Sequence, residues 1–229
     1  VATRLIDYLD LLRDGTHNPP ERADKGIRFI AGATDVKYLD IDFSKCTFVS
    51  EENYRTMHNK WEPAENDVLL TIVGTVGNTA IVRRQDIPFT MQRSIATLRP
   101  NEKLDYLYLF YWLNSDEFQW EMNSRITATG QPGIYLGELG KIPFSPPDLN
   151  TQIAVSRELH LLDKKIRLLR EISSKSNESI STIFRSWFID FEPVKAKAEG
   201  KFPYGMDEET AALFPDSFEN SELGPIPAG

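Results

Sequence analysis

The chain has 229 residues, 41% hydrophobic and 11% aromatic, which is enough apolar material for one or two ordinary cores. Its apolar runs are far shorter than the roughly 20 residues that span a bilayer, and no charged start leads into an apolar stretch, so neither a membrane partner nor a secretory leader is expected. A formal charge of −8 excludes a uniformly basic nucleic-acid binder and directs attention to where the charges lie.

Residues 1–147 read as β-rich with some helix, because Pro, Gly, Asn and Asp punctuate short apolar segments. Residues 1–150 carry sixteen Lys+Arg against twenty-one Asp+Glu. The single thiol, Cys46, can form neither an internal disulfide nor a Cys-rich zinc site, and is expected half-buried in a cytoplasmic protein. Residues 68–73 predict a buried strand. Gly74-Thr75-Val76-Gly77-Asn78 predicts a hairpin or tight loop before the β-prone Thr79-Ala80-Ile81-Val82. Residues 89–98 read as one further strand with Phe89, Met91, Arg93 and Ile95 on one parity. Leu107, Phe110, Tyr111, Leu113 and Asn114 fall at helical spacing, so residues 105–120 predict one helix.

Pro143-Phe144-Ser145-Pro146-Pro147 predicts an extended boundary, and Asp148 suits a helix N-cap. Residues 149–188 contain neither Gly nor Pro. Val155, Leu159, Leu162, Ile166, Leu169, Ser173, Ser176, Ile180, Ile183 and Trp187 alternate at spacings of four and three, a heptad seam. About 40 residues at 1.5 Å each give a helix about 60 Å long. No core of this size needs such a helix, so it reads as a spacer or coiled coil. Ser173 and Ser176 mark either a local loosening or bend, the reading we favour, or a place where another element crosses. Residues 151–201 carry ten Lys+Arg against seven Asp+Glu, a local excess of +3. Residues 202–229 hold six acids and no Lys or Arg, and read as a loosely packed extension.

Catalytic motifs are weak. Ser145-Pro146-Pro147-Asp148 is close to the (Asp/Asn/Ser)-Pro-Pro-(Tyr/Phe) motif of amino-methyltransferases, but Asp148 cannot stack on a flipped base. It reads instead as the lead-in to a helix. Gly74-x-x-Gly77 lacks the Gly-Lys-Ser/Thr ending of a phosphate loop. His17, His58 and His160 are far apart and suggest no metal site. Binding features are more promising. Arg83-Arg84 follow a strand end, and Gln92-Arg93 sit in the 89–98 segment. Arginine matches guanine and glutamine matches adenine in the major groove, although a solvated charge pair is the plainer reading of either pair. The polar loop Thr127-Ala128-Thr129-Gly130-Gln131-Pro132-Gly133 could contact bases or phosphates. Candidate DNA readers are thus Arg83, Arg84, Gln92, Arg93 and Gln131, with Lys37 and Arg125 as candidate phosphate contacts. Arg93 could equally be a structural arginine in the sheet.

Several segments, in order, resemble the specificity (S) subunits of type I restriction–modification enzymes. Asp14-Gly15-Thr16-His17-Asn18-Pro19-Pro20 resembles the opening of many of their target-recognition domains. Asp67-Val68-Leu69-Leu70 with Gly74-Thr75-x-Gly77 resembles their central block. Ile142-Pro143-Phe144-x-Pro146-Pro147 with Gln152-Ile153 resembles the lead into the spacer helix, and Leu161-Leu162-Asp163-x-x-Ile166 fits that helix. Ile183-Phe184-Arg185-Ser186-Trp187-Phe188-Ile189-Asp190-Phe191-x-Pro193-Val194 resembles the segment that ends it.

The resemblance implies an α+β fold: a recognition domain over 1–147, a spacer or dimerisation helix over 148–191, and an extension over 192–229 leading toward a second recognition domain. It implies a non-catalytic partner of double-stranded DNA, of methyltransferase (M) subunits that carry S-adenosylmethionine, and of restriction (R) subunits. The M subunits would supply much of the positive surface that this acidic chain lacks. The seam has no partner of comparable length in this sequence and would leave an apolar stripe in water. Two copies are therefore expected to pair through antiparallel helices at Val155, Leu159, Leu162, Ile166, Leu169, Ile180 and Ile183, imitating the two halves of an S subunit, with M subunits as the alternative cover. The rival reading is a coiled-coil scaffold whose β-rich head binds something other than DNA. An independent methyltransferase is disfavoured by Asp148.

Overall fold

The computed structural model describes residues 3–18, 20–32, 34–127, 131–222 and 224–228. The chain divides into two compact units, Val1–Leu161 and Leu162–Gly229.

The strands of the first unit are β1 (Leu9–Asp14), β2 (Ile27–Ile30), β3 (Val36–Lys37), β4 (Asp40–Ile41), β5 (Thr47–Val49), β6 (Val68–Thr71), β7 (Thr79–Ile81), β8 (Phe89–Met91) and β9 (Ile95–Pro100). One antiparallel sheet has the order β1-β9-β6-β7, and a second has the order β5-β2-β8 with β2 and β8 parallel. β3 and β4 form a separate hairpin.

The Val68-Leu69-Leu70 run explains the layering. Successive side chains of a strand point to opposite faces. Val68 and Leu70 enter one core with Leu98, Phe110 and Phe118, while Leu69 enters a second core with Ile30, Phe89 and Ile95. A strand covered on both faces must be apolar throughout. Gly74 and Gly77 take φ +81° and +101°, so the glycine pair makes the predicted turn, closed by the Gly77 N–H donating to Thr71 O at 2.9 Å.

Three expectations change. Residues 89–98 are not one strand, since β8 and β9 lie in different sheets and the chain turns between them at Gln92-Arg93-Ser94. Phe89, Met91 and Ile95 are fully buried while Arg93 is exposed, so Arg93 does not share their face. Residues 105–120 hold two helices, α2 (Tyr106–Leu113) and α3 (Asp116–Asn123), after the earlier α1 (Glu51–Met57), which the sequence reading did not resolve. The break comes at Ser115, whose hydroxyl accepts from the Phe118 N–H and caps α3. A short α4 (Leu136–Gly140) follows.

His58, just after α1, stands between the rings of Tyr54 and Trp61. Its Nδ1 donates to Trp61 O at 2.8 Å, which leaves Nε2 to accept from the Thr90 hydroxyl at 2.8 Å. Burial holds the imidazole below its ordinary value of 6.5. The unfolded chain therefore binds more protons just below that value, and stability should fall as pH drops through it. Urea unfolding between pH 7 and pH 5 should show this slope, and His58→Gln should flatten it.

α5 (Leu149–Phe184) is one uninterrupted helix, through Ser173 and Ser176, extended by a π-helical turn at Arg185–Ile189. Asp148 caps it as expected: its carboxylate accepts from the Thr151 N–H at 3.1 Å and hydroxyl at 2.7 Å. Val155, Leu159, Leu162, Ile166, Leu169, Ile180 and Ile183 are 38–63% exposed among the described residues, so the seam presents an open apolar stripe.

The second unit corrects the loose-extension reading. It contains α6 (Glu192–Ala198), α7 (Glu208–Ala212) and a hairpin of β10 (Phe218–Ser221) with β11 (Gly224–Pro227). Trp187 and Phe188 meet Phe214, and Phe191 meets Phe218, at ring separations of 5.6, 5.9 and 6.4 Å. Lys197 Nζ donates to the carbonyls of Ala211 and Phe214, at the end of α7. No helix of the described residues is long and apolar enough to cross a membrane.

Candidate nucleic-acid interface

A cleft of about 320 Å³ opens on the first unit, lined by Asp14, His17, Arg93, Thr127, Gln131 and Tyr135 among others. Its floor follows from backbone constraints. The segment after β1 is strapped to the Gln92–Ser94 turn: Thr16 N–H donates to Met91 O at 2.9 Å, and Arg93 N–H donates to Thr16 O at 3.0 Å. Gly15 is required there, because a Cβ would lie 2.1 Å from Met91 O. The turn is tied further by Gln92 N–H to Ile30 O at 3.0 Å, Ile72 N–H to Ser94 O at 2.8 Å, and Ser94 Oγ to Ala31 O at 3.1 Å. Its backbone is thus fixed on three sides while the Arg93 side chain projects outward. Among the described residues, no hydrogen bond or ion pair engages its guanidinium.

Gln131 also lines the cleft and is exposed. Its loop is pinned by Gly74 N–H to Pro132 O at 2.8 Å and Ile134 N–H to Ile72 O at 2.9 Å. Ala128, Thr129 and Gly130 of the expected polar loop lie outside the described residues. Rigid scaffolding beneath a polar, exposed loop is the usual design of a recognition surface.

The other candidates are elsewhere. Arg83 pairs with Asp40 at 2.5 Å and lines a different cleft, with Arg84, Tyr106 and His160. Arg84 is exposed at the start of a 3₁₀ turn. Lys37 is exposed on the β3–β4 hairpin, and Gln92 is half-buried beside Arg93. Arg125 is ion-paired with Glu121 four residues earlier on α3. The structure thus gathers Arg93 and Gln131 into one site, and leaves Arg83 and Arg125 with internal carboxylate partners.

Two features of the cleft escaped the sequence reading. Tyr135 is 72% exposed at the start of α4, between Ile134, which is buried, and Leu136. His17 Nε2 donates to Asp14 Oδ2 at 2.9 Å, which orients the carboxylate. The i,i+3 spacing of Asp14 and His17 was a readable signal, whereas nothing local marks Tyr135 as outward-facing.

The family model for the type I restriction modification DNA specificity domain matches residues 27–176. The chain is 30% identical over 164 residues to the EcoBI specificity subunit of Escherichia coli, covering 71% of this chain and 34% of that protein. It is 27% identical over 128 residues to the HindI specificity subunit of Haemophilus influenzae, covering 55% and 28%. It therefore spans about a third of the curated relatives it matches. Among solved structures, a chain from a type I R-M system aligns with TM-score 0.59 at 19% identity, covering 80% of this chain and 43% of that one. The HsdS subunit of Thermoanaerobacter tengcongensis aligns with TM-score 0.55 at 20% identity, covering 75% and 39%. Those likenesses establish the α+β fold with its β-rich domain and long helix. With more than half its length matched, the chain belongs to the family of type I restriction modification DNA specificity domains, whose role is DNA sequence recognition.

Proposed function

We propose that this chain reads one half of a split double-stranded DNA site and directs methyltransferase and restriction subunits to it. The observation that carries this reading is Arg93: a guanidinium without an internal partner among the described residues, on a turn fixed by backbone hydrogen bonds, lining the same cleft as Gln131. Residues 1–147 are the recognition domain, residues 148–191 the spacer and dimerisation helix, and residues 192–229 a C-terminal extension. The acidic balance is offset by the M subunits, which supply positive surface around the DNA.

The test uses the chain co-purified with its methyltransferase subunit, in mobility shifts on specific and scrambled DNA. Arg93→Ala should cost about 1–3 kcal/mol on the specific site and relax selectivity at one position. Lys37→Ala should weaken all sequences alike and flatten the salt dependence. Arg83→Ala, which removes the ion pair to Asp40, should lower the melting temperature slightly and leave the site preference intact. If Arg93→Ala lowers stability and leaves preference unchanged, Arg93 is structural and the reading loses its support.

S-adenosylmethionine belongs in this reading to the M subunit. Asp148 is engaged in capping α5 and does not supply an aromatic face for a base. Calorimetry on the isolated chain should detect no S-adenosylmethionine binding, and labelled-methyl assays no transfer. Methyl transfer by the chain free of M subunit would overturn the proposal.

A further inference from the structure

We infer that the cleft reads a G·C base pair, Arg93 donating to the guanine and Asp14, held by His17, accepting from the cytosine amino group. The inference rests on the proposed DNA-recognition function and adds the base pair that the cleft selects.

The geometry begins with the strap. Asp14 is the last residue of β1, registered opposite Ala96 of β9, and the chain continues through Gly15 and Thr16 into hydrogen bonds with Met91 and Arg93. The backbones of Asp14 and Arg93 are therefore held beside one another by these bonds. Both line the cleft, yet they form no ion pair with each other. The Asp14 carboxylate instead takes a bond from His17 on one oxygen, which orients it and leaves its other oxygen as an acceptor.

A carboxylate in a cleft that meets DNA repels phosphates, so the DNA group that suits its free oxygen is a donor on a base edge. The major groove offers such donors only as the amino groups of cytosine and adenine. Guanidinium prefers the paired N7 and O6 acceptors of guanine. The G·C pair is the one that presents a forked acceptor and an amino donor together. Asp14 is thus a specificity residue, and His17 a positioning residue that acts through it.

The experiment uses the full chain bound to its methyltransferase subunit and a selected DNA site, with each base pair replaced in turn. One position should demand G·C, with a loss of roughly 10- to 100-fold on replacement by A·T. At that position 7-deazaguanine, which lacks only the N7 acceptor, should weaken the wild-type complex and have little effect on Arg93→Ala. Asp14→Asn should relax discrimination at that same position and leave the others unchanged. His17→Ala should reduce the preference without abolishing it. A site that is selective but insensitive to 7-deazaguanine at every guanine, or a profile unchanged in Asp14→Asn, overturns the inference and leaves the DNA-recognition reading standing. No sequence preference in the wild-type complex overturns both. The 7-deazaguanine comparison on wild type needs no variant, so it decides even where Asp14→Asn fails to fold.

Discussion

Arg99→Ala should destabilise the first unit by about 3–5 kcal/mol, the cost typical of removing one partner of a buried ion pair. Asp67 is fully buried, and its carboxylate accepts from Arg99 Nε at 2.7 Å, Arg99 Nη2 at 2.9 Å and the Ala64 N–H at 2.8 Å. Arg99 also donates to Glu62 O at 2.8 Å. Removing the guanidinium leaves a buried carboxylate with a single backbone donor, and frees Glu62 O as well. The loss should appear as a lower urea midpoint with an unchanged slope. The Arg99→Ala Asp67→Asn double variant should be more stable than Arg99→Ala alone, because no unpaired charge then remains inside. Equal stability of the two would show that lost packing, rather than stranded charge, dominates.

The second large effect concerns α5. We propose that two copies pair through antiparallel helices, and Ile166→Asp with Leu169→Asp should abolish that pairing. Each apolar side chain buried in such a seam contributes about 1.5–3 kcal/mol, and each substitution occurs in both copies. The combined loss exceeds what a micromolar dimer can withstand, since 1.4 kcal/mol is tenfold in affinity. Light scattering should give twice the chain mass for wild type and the single-chain mass for the variant. Circular dichroism should remain helical, because Ile166 and Leu169 are 45% and 55% exposed in the single chain. A monomeric wild type at micromolar concentration would contradict self-pairing and leave the M subunit as the partner that covers the stripe.

What was legible in the sequence depended on whether the signal was local. β6 could be read because a strand covered on both faces leaves an unbroken apolar run. α5 could be read because its seam repeats over many turns without Gly or Pro, and because Asp148 announces its start. The turn at Gln92-Arg93-Ser94 contains no Gly, Pro or Asn. It bends because Thr16, Ile30 and Ile72 tie it, and those contacts are distant in sequence. The α2–α3 break carried a usable cap at Ser115, but apolar spacing that runs on past it masked the signal. α1 likewise had a readable start in Ser50 followed by Glu51 and Glu52.

The same rule sorts the site. Arg93 and Gln131 were named from side-chain chemistry, and only tertiary structure places them in one cleft. The Arg125–Glu121 pair was foreseeable from its i,i+4 spacing, although Arg125 lies just past the end of α3. The Arg83–Asp40 pair was not, because it joins two strand ends far apart along the chain.

Sequence recognition by this chain is tested most directly by selection from a randomised double-stranded DNA pool at physiological salt, using the chain bound to its methyltransferase subunit. The account predicts enrichment of one short motif, present as two inverted copies at fixed separation if the helices pair antiparallel, and lost in part when Arg93 is replaced by Ala. Recovery of the pool without enrichment, by a complex that is folded and intact, would contradict it.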